Sequence, residues 1–161
     1  MRINLRAAAL AGLAGALSID VFLLLVIAVV LRGDPMQLAL WDASNLLGSD
    51  ALHGSWGTAA IGTALHFAVS LVWGIVFVAI AARVPAVPSR PLLGGAIFGF
   101  AVMLVMRYAV VPLGHAALGG WTLRGFIIQT IAHTLFFGVP VAWTARGLMR
   151  EANAMPRAEF P

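Results

Sequence analysis

Four apolar runs decide what this chain can fold into. They cover residues 7–31, 58–82, 92–112 and 126–149, and each is long enough for a helix to cross about 30 Å of hydrocarbon, which takes about 20 residues. With 61% hydrophobic residues, 10% charged residues and a mean hydropathy of +0.98, the chain has too little polar surface to coat a water-soluble globule. Lipid must cover much of it. The sequence therefore predicts an all-α integral membrane four-helix bundle in one domain, residues 1–150, followed by a disordered cytoplasmic tail, residues 151–161.

The cationic charge comes from Arg alone, and the Arg residues flank the apolar runs instead of forming an aromatic-laced stripe. That pattern excludes a nucleic-acid partner and implies the lipid bilayer as the principal one. The chain has no Cys, which removes disulfides, thiolate metal sites and Cys nucleophiles together. Arg2 and Arg6 precede the first run as in a signal peptide, but the run continues past any signal h-region and carries Asp20 in its middle. It reads as a retained first span.

Orientation follows from the same Arg residues. If the N-terminus is inside, Arg2, Arg6, Arg83, Arg90, Arg146, Arg150 and Arg157 are inside, against only Arg32 and Arg124 outside. The bias predicts cytoplasmic N- and C-termini in a bacterial inner membrane. On the outer side, Asp34 as N-cap, Pro35 at the first helical position and Gly48 as terminator predict a short helix over residues 35–47 that lies on the outer interface or tucks between spans. The second outer connection, residues 113–124, is shorter and glycine-rich.

The halves look duplicated. Thr63-Ala64-Leu65-His66 and Thr130-Ile131-Ala132-His133 lie 67 residues apart in matching helices, which suggests two tandem helical hairpins related by a pseudo-twofold axis along the membrane normal. Both histidines then lie about 12 Å from the outer ends, on faces shared with small or polar residues such as Ser70 and Gln129. Ionisable groups inside a span are functional candidates by default, and here they are Asp20, His66, Arg107 and His133. Asp20 and Arg107 differ in depth by about 4 to 5 Å, a gap that their side chains can bridge as a buried pair. Gly12-x-x-Gly15 and Gly95-x-x-x-Gly99 read as close-packing motifs. The outer loops add His53, His115, Asp34, Asp42 and Asp50, yet no two histidines have the spacing of a local metal-ligand pair.

No nucleophile elbow, phosphate loop, dinucleotide fingerprint or close carboxylate pair occurs, so the chain does not read as an enzyme. Thr63 to His66 with Ser70 and Gly74, then Pro85, Gly94-Gly95, Gly99, Pro112-Leu113-Gly114, Ala132-His133 and Phe137-Gly138 together resemble the YagU-like small bacterial inner-membrane proteins over about residues 58–148. Some of that group carry an acidic residue before the last histidine, where this chain has Gln129 and Thr130. Asp20 matches an aspartate in the first helix of related families. The resemblance implies a role in acid or envelope stress and gives no reaction.

The reading that these residues support is a non-enzymatic membrane protein with an outward-facing pocket of His66, His133, Arg107, Asp20, Thr63, Thr130 and Gln129, without cofactor or metal, linked to a proton or small ligand. A b-type cytochrome with His66 and His133 as axial ligands of haem b is one alternative. An accessory subunit of a larger membrane complex is another, and a homo-oligomer is compatible with each. The Arg bias makes a direct prediction: a reporter active only in the cytoplasm works when fused near Val87 and stays silent near Asn45. Activity near Asn45 would overturn the orientation.

Overall fold

The computed structural model describes residues 3–116 and 122–154. Among them there is no strand, and four helices are long and apolar enough to cross a membrane: Leu5–Val30, Trp56–Ala81, Pro91–Leu113 and Leu123–Glu151. The chain is a multi-pass, all-α membrane protein. Its spans begin one to three residues before the apolar runs do, and at the first and fourth a side-chain cap marks the start. The Asn4 side chain accepts from the Ala7 N–H at 3.0 Å and opens α1 (Leu5–Leu25). Thr122 does the same for the Gly125 N–H at 3.0 Å and opens α7 (Leu123–Ile131). Pro91 starts α5 (Pro91–Val105), where its missing N–H costs nothing.

Two further helices flank the second span, α3 (Trp56–Ala81): α2 (Met36–Leu47) before it and the single turn α4 (Ala86–Ser89) after it. The N-cap of α2 is Pro35, one residue later than expected, while Asp34 Oδ1 still accepts from the Met36 N–H at 2.9 Å; as expected, Gly48 ends the helix, with φ +84°, a conformation that favours glycine. Of the two placements open to it, α2 takes the packed one, against α3. Gly62 makes this possible, since a Cβ there would overlap the Ala39 carbonyl oxygen. The second connection meets the first where the His115 N–H donates to the Asn45 carbonyl at 2.9 Å.

The third and fourth spans are not regular throughout. The turns Met106–Val110 and Ala132–Gly138 are π-helical, and each lies just before a proline: Pro112 in α6 (Val111–Leu113) and Pro140 in α8 (Val139–Ala154). A proline inside a helix donates no hydrogen bond and its ring collides with the carbonyl four residues earlier. Those carbonyls belong to Tyr108 and Phe136, inside the widened turns. The π turns thus absorb the prolines without ending the spans, and they carry Arg107 and His133. A third π turn, Val26–Val30, ends the first span, where Arg32 adopts φ +52° and the Gly33 N–H donates to the Ile27 carbonyl at 2.9 Å.

Glycine sets the helix pairing. Gly12 faces the Ser70 carbonyl and Gly74 the Ala8 carbonyl, which draws α1 onto α3. Gly95 and Gly99 pack backbone to backbone against Gly138 and the His133 carbonyl, which draws α5 onto the fourth span. The two junctions between these hairpins differ. Along one, α1 runs close to α8, with Gly15 against Phe137 and Val141 and with Phe22 stacked on Phe136 at 4.2 Å. Across the other, α3 and α5 meet through large side chains: Phe98 stands edge-on to Phe77 at 5.0 Å and to Trp73 at 6.0 Å.

Residues 151–154, expected in the disordered tail, are helical instead. Glu151, Ala152 and Ala154 are good helix formers, and Pro156 is the first proline beyond them. The remaining tail, with Arg157, and Arg2 lie outside the described residues. Gly99→Ala places a methyl group on the His133 carbonyl and is expected to lower thermal stability in detergent by about 1 to 3 kcal/mol. Gly147→Ala, whose Cβ would meet nothing within 4 Å, is expected to be neutral or to stabilise by up to about 1 kcal/mol. Equal effects would show that the close helix approach is not what holds α5 in place.

Candidate functional site

His66 lies one helical turn beyond Gly62 on α3, so the close approach of α2 at Gly62 brings Asp42 alongside it. The approach of α1 at Gly12 brings Asp20 to the other edge of the same ring. Asp20 Oδ1 stands 3.1 Å from His66 Nε2, and Asp42 Oδ2 stands 3.8 Å from His66 Nδ1. Two helices therefore present carboxylates to one imidazole on a third. His66 and Asp20 keep 19% and 21% of their side-chain surface accessible. Nε2 itself is fully covered and makes no aligned hydrogen bond, because Asp20 Oδ1 is near in distance but off the N–H direction. The contact is Coulombic, and it leaves this nitrogen under-satisfied.

This arrangement corrects two expectations. Asp20 does not pair with Arg107; its carboxylate meets His66. Matching by depth along the helix axis ignored which faces of α1 and α3 turn toward each other, and Gly12 and Gly74 settle that. Arg107 is half-buried on the π turn of the third span. Asp42, read as a residue of the outer loop, belongs to the cluster. The signal for it was present in Gly62, which marks where a second backbone approaches α3 one turn before His66.

Asp42 is the member of the cluster outside the spans, and its electrostatics are distinctive. Burial pushes its carboxyl up from 3.8 to about 6; His66 opposes the rise and the Asp20 charge adds to it. Its side chain nevertheless keeps 32% of its surface accessible, so the group is desolvated yet reachable.

His133 sits on the π turn of the fourth span, within electrostatic reach of His66. Its Nδ1 lies 3.0 Å from the Gln129 backbone carbonyl. A carbonyl only accepts, so Nδ1 carries the proton and neutral His133 keeps its acceptor lone pair on Nε2. Gln129 thus contributes its backbone. Thr130 Oγ1 points to Met103 Sδ at 3.7 Å, and it is Thr134 that donates to the Thr130 carbonyl, at 2.6 Å. Thr63 is exposed. Neither threonine of the Thr-x-x-His pattern forms a hydrogen bond to its histidine among the described residues. His53 and His115 are exposed in the connections.

Asp20 and Asp42 approach different nitrogens of the same ring, and no group of three or more ligand-type residues suited to a metal occurs among the described residues. No protein-family model matches this chain, and no curated protein or solved structure is significantly similar to it.

The energetic content of the contact is open to a double-mutant cycle. Asp20→Ala and His66→Ala each leave a partly buried partner behind, so their destabilisations are expected to be non-additive by about 0.5 to 3 kcal/mol in detergent. Asp20→Ala with Arg107→Ala is expected to be more nearly additive. The reverse pattern would restore the Asp20 to Arg107 pairing.

Proposed function

We propose that this chain is a non-enzymatic protein of the bacterial inner membrane in which Asp20, His66 and Asp42 form an outward-facing proton-binding cluster, and that its protonation sets how firmly α2 holds to the bundle. The observation that carries this reading is one imidazole flanked on both nitrogens by carboxylates from two other helices. With both carboxylates ionised and His66 protonated the cluster holds one net negative charge, and a further proton neutralises it. Desolvated charge favours that neutral state. Asp42 is the group through which the added proton reaches α2, and its accessible surface is the proton's route. A use in acid or envelope stress agrees with the resemblance to YagU-like proteins.

Ligation of haem b by His66 and His133 is less well served by the geometry. An axial ligand needs Nε2 directed at iron with Nδ1 held by a hydrogen bond. His133 meets that pattern, with Nδ1 on the Gln129 carbonyl. His66 does not, since its Nε2 is covered and lies against Asp20.

The sign of the pH effect follows from Asp42. A carboxyl whose value in the folded protein lies above its value when released binds its proton more tightly in the folded form. The resulting stabilisation of docked α2 is complete below about 4 and is lost as pH rises through about 6. A spin label at the exposed position Leu46 on α2 is therefore expected to become more mobile as pH rises, with a midpoint near 6. Asp42→Asn should leave it immobile at every pH, and His66→Gln should move the midpoint upward, since the imidazolium opposes the shift. A label that loosens on acidification, or responds identically in Asp42→Asn, would refute the proposal.

A further inference from the structure

We propose that the opposite end of the bundle carries a site for the phosphate of an anionic phospholipid, in the cleft between the start of α5 and α8. The cleft has a volume of about 310 Å³ and is lined by Arg90, Pro91, Leu92, Leu93, Trp143 and Arg146. It lies where the third span begins and the fourth nears its end, hence at the depth at which apolar helix surface gives way to headgroups. Leu92, Leu93 and Trp143 are exposed on the apolar side, a wall for glycerol and the upper acyl chain, and an interfacial Trp is a usual anchor at this depth.

The lining itself is almost wholly apolar, so Arg90 and Arg146 contribute their stems to it and their charge only at its edge. Neither forms an ion pair among the described residues. The other described ionisable groups at this end are Arg6, Arg83, Arg150 and Glu151, so cations outnumber carboxylates and the local field favours an anion. A guanidinium fork matches phosphate geometry with two parallel hydrogen bonds, and its weak hydration suits a partly apolar cleft. A free phosphate would use only the two guanidiniums. The apolar wall beside them is what selects a lipid, and basic pockets between spans are known to take such headgroups. The proposal is independent of the Asp20–His66–Asp42 cluster, which lies toward the other end.

The test uses the full chain in phosphatidylcholine vesicles containing either brominated phosphatidylglycerol or brominated phosphatidylcholine, with tryptophan quenching as the readout. The Trp143 component is the difference between wild type and Trp143→Phe. Brominated phosphatidylglycerol is expected to quench this component at lower mole fraction than brominated phosphatidylcholine. Arg90→Gln and Arg146→Gln should each reduce that preference about fivefold, while Arg83→Gln, outside the cleft, should leave it unchanged. The wild-type preference should also fall as salt is added, a reading that needs no variant to fold. Equal quenching by the two lipids, a salt-independent preference, or an equal loss in Arg83→Gln would overturn the site. Abolition of the preference by inorganic phosphate would assign the cleft to free phosphate instead.

Discussion

An ionisable side chain inside hydrocarbon has no water to turn to, at a cost of about 3 kcal/mol near the centre of a helix, so whatever answers its charge must come from the protein. For His66 the answer comes from two helices at once. Asp20 on α1 and Asp42 on α2 stand at 3.1 and 3.8 Å from its two nitrogens, and the glycines that let these helices approach follow the same logic. Gly12 and Gly74 bring α1 onto α3, and Gly62 brings in α2. With a side chain at any of the three positions, a backbone would have to withdraw and a carboxylate would move away from the ring. The packing of the first half of the chain and its electrostatics are one arrangement.

The second half obeys a different constraint, imposed by the backbone. Pro112 and Pro140 each remove a donor and crowd a carbonyl within a span, and the widened turns before them keep the helices continuous. Those turns place Arg107 and His133 with respect to the rest of the bundle. They also let Gly138 and the His133 carbonyl lie against Gly95 and Gly99. In the first half, by contrast, α2 is a short helix brought to α3 by a close backbone contact at Gly62.

Run length and hydropathy made the four spans legible in the sequence, and the Asp34, Pro35 and Gly48 signals made α2 legible, because both rest on local chemistry. The candidate site was legible in part. His66, His133 and Asp20 stand out as polar groups in apolar runs, but the partner of Asp20 depends on which helix faces meet, and no periodicity within one helix contains that. Arg107 lay at a similar depth, and depth alone did not separate it from His66 as a partner for Asp20. Asp42 looked like an ordinary loop residue because nothing within α2 says which of its residues meets His66 on α3. Thr63 and Thr130 shared a pattern with the histidines, yet Thr63 faces outward and Thr130 turns to Met103. The π turns were implicit in the prolines, whose consequence for the preceding turn is a matter of sterics rather than composition.

The central claim is that Asp42 is held by burial beside His66 and Asp20 as a carboxyl that exchanges a proton near neutral pH. Infrared difference spectroscopy of the reconstituted protein observes this directly through the carbonyl stretch of a protonated carboxyl. The account predicts a band that appears as pH falls through about 6, is absent in Asp42→Asn and shifts its midpoint upward in His66→Gln. Carboxyl bands that all titrate near the ordinary aspartate value of about 3.9, with no response to either substitution, would contradict it.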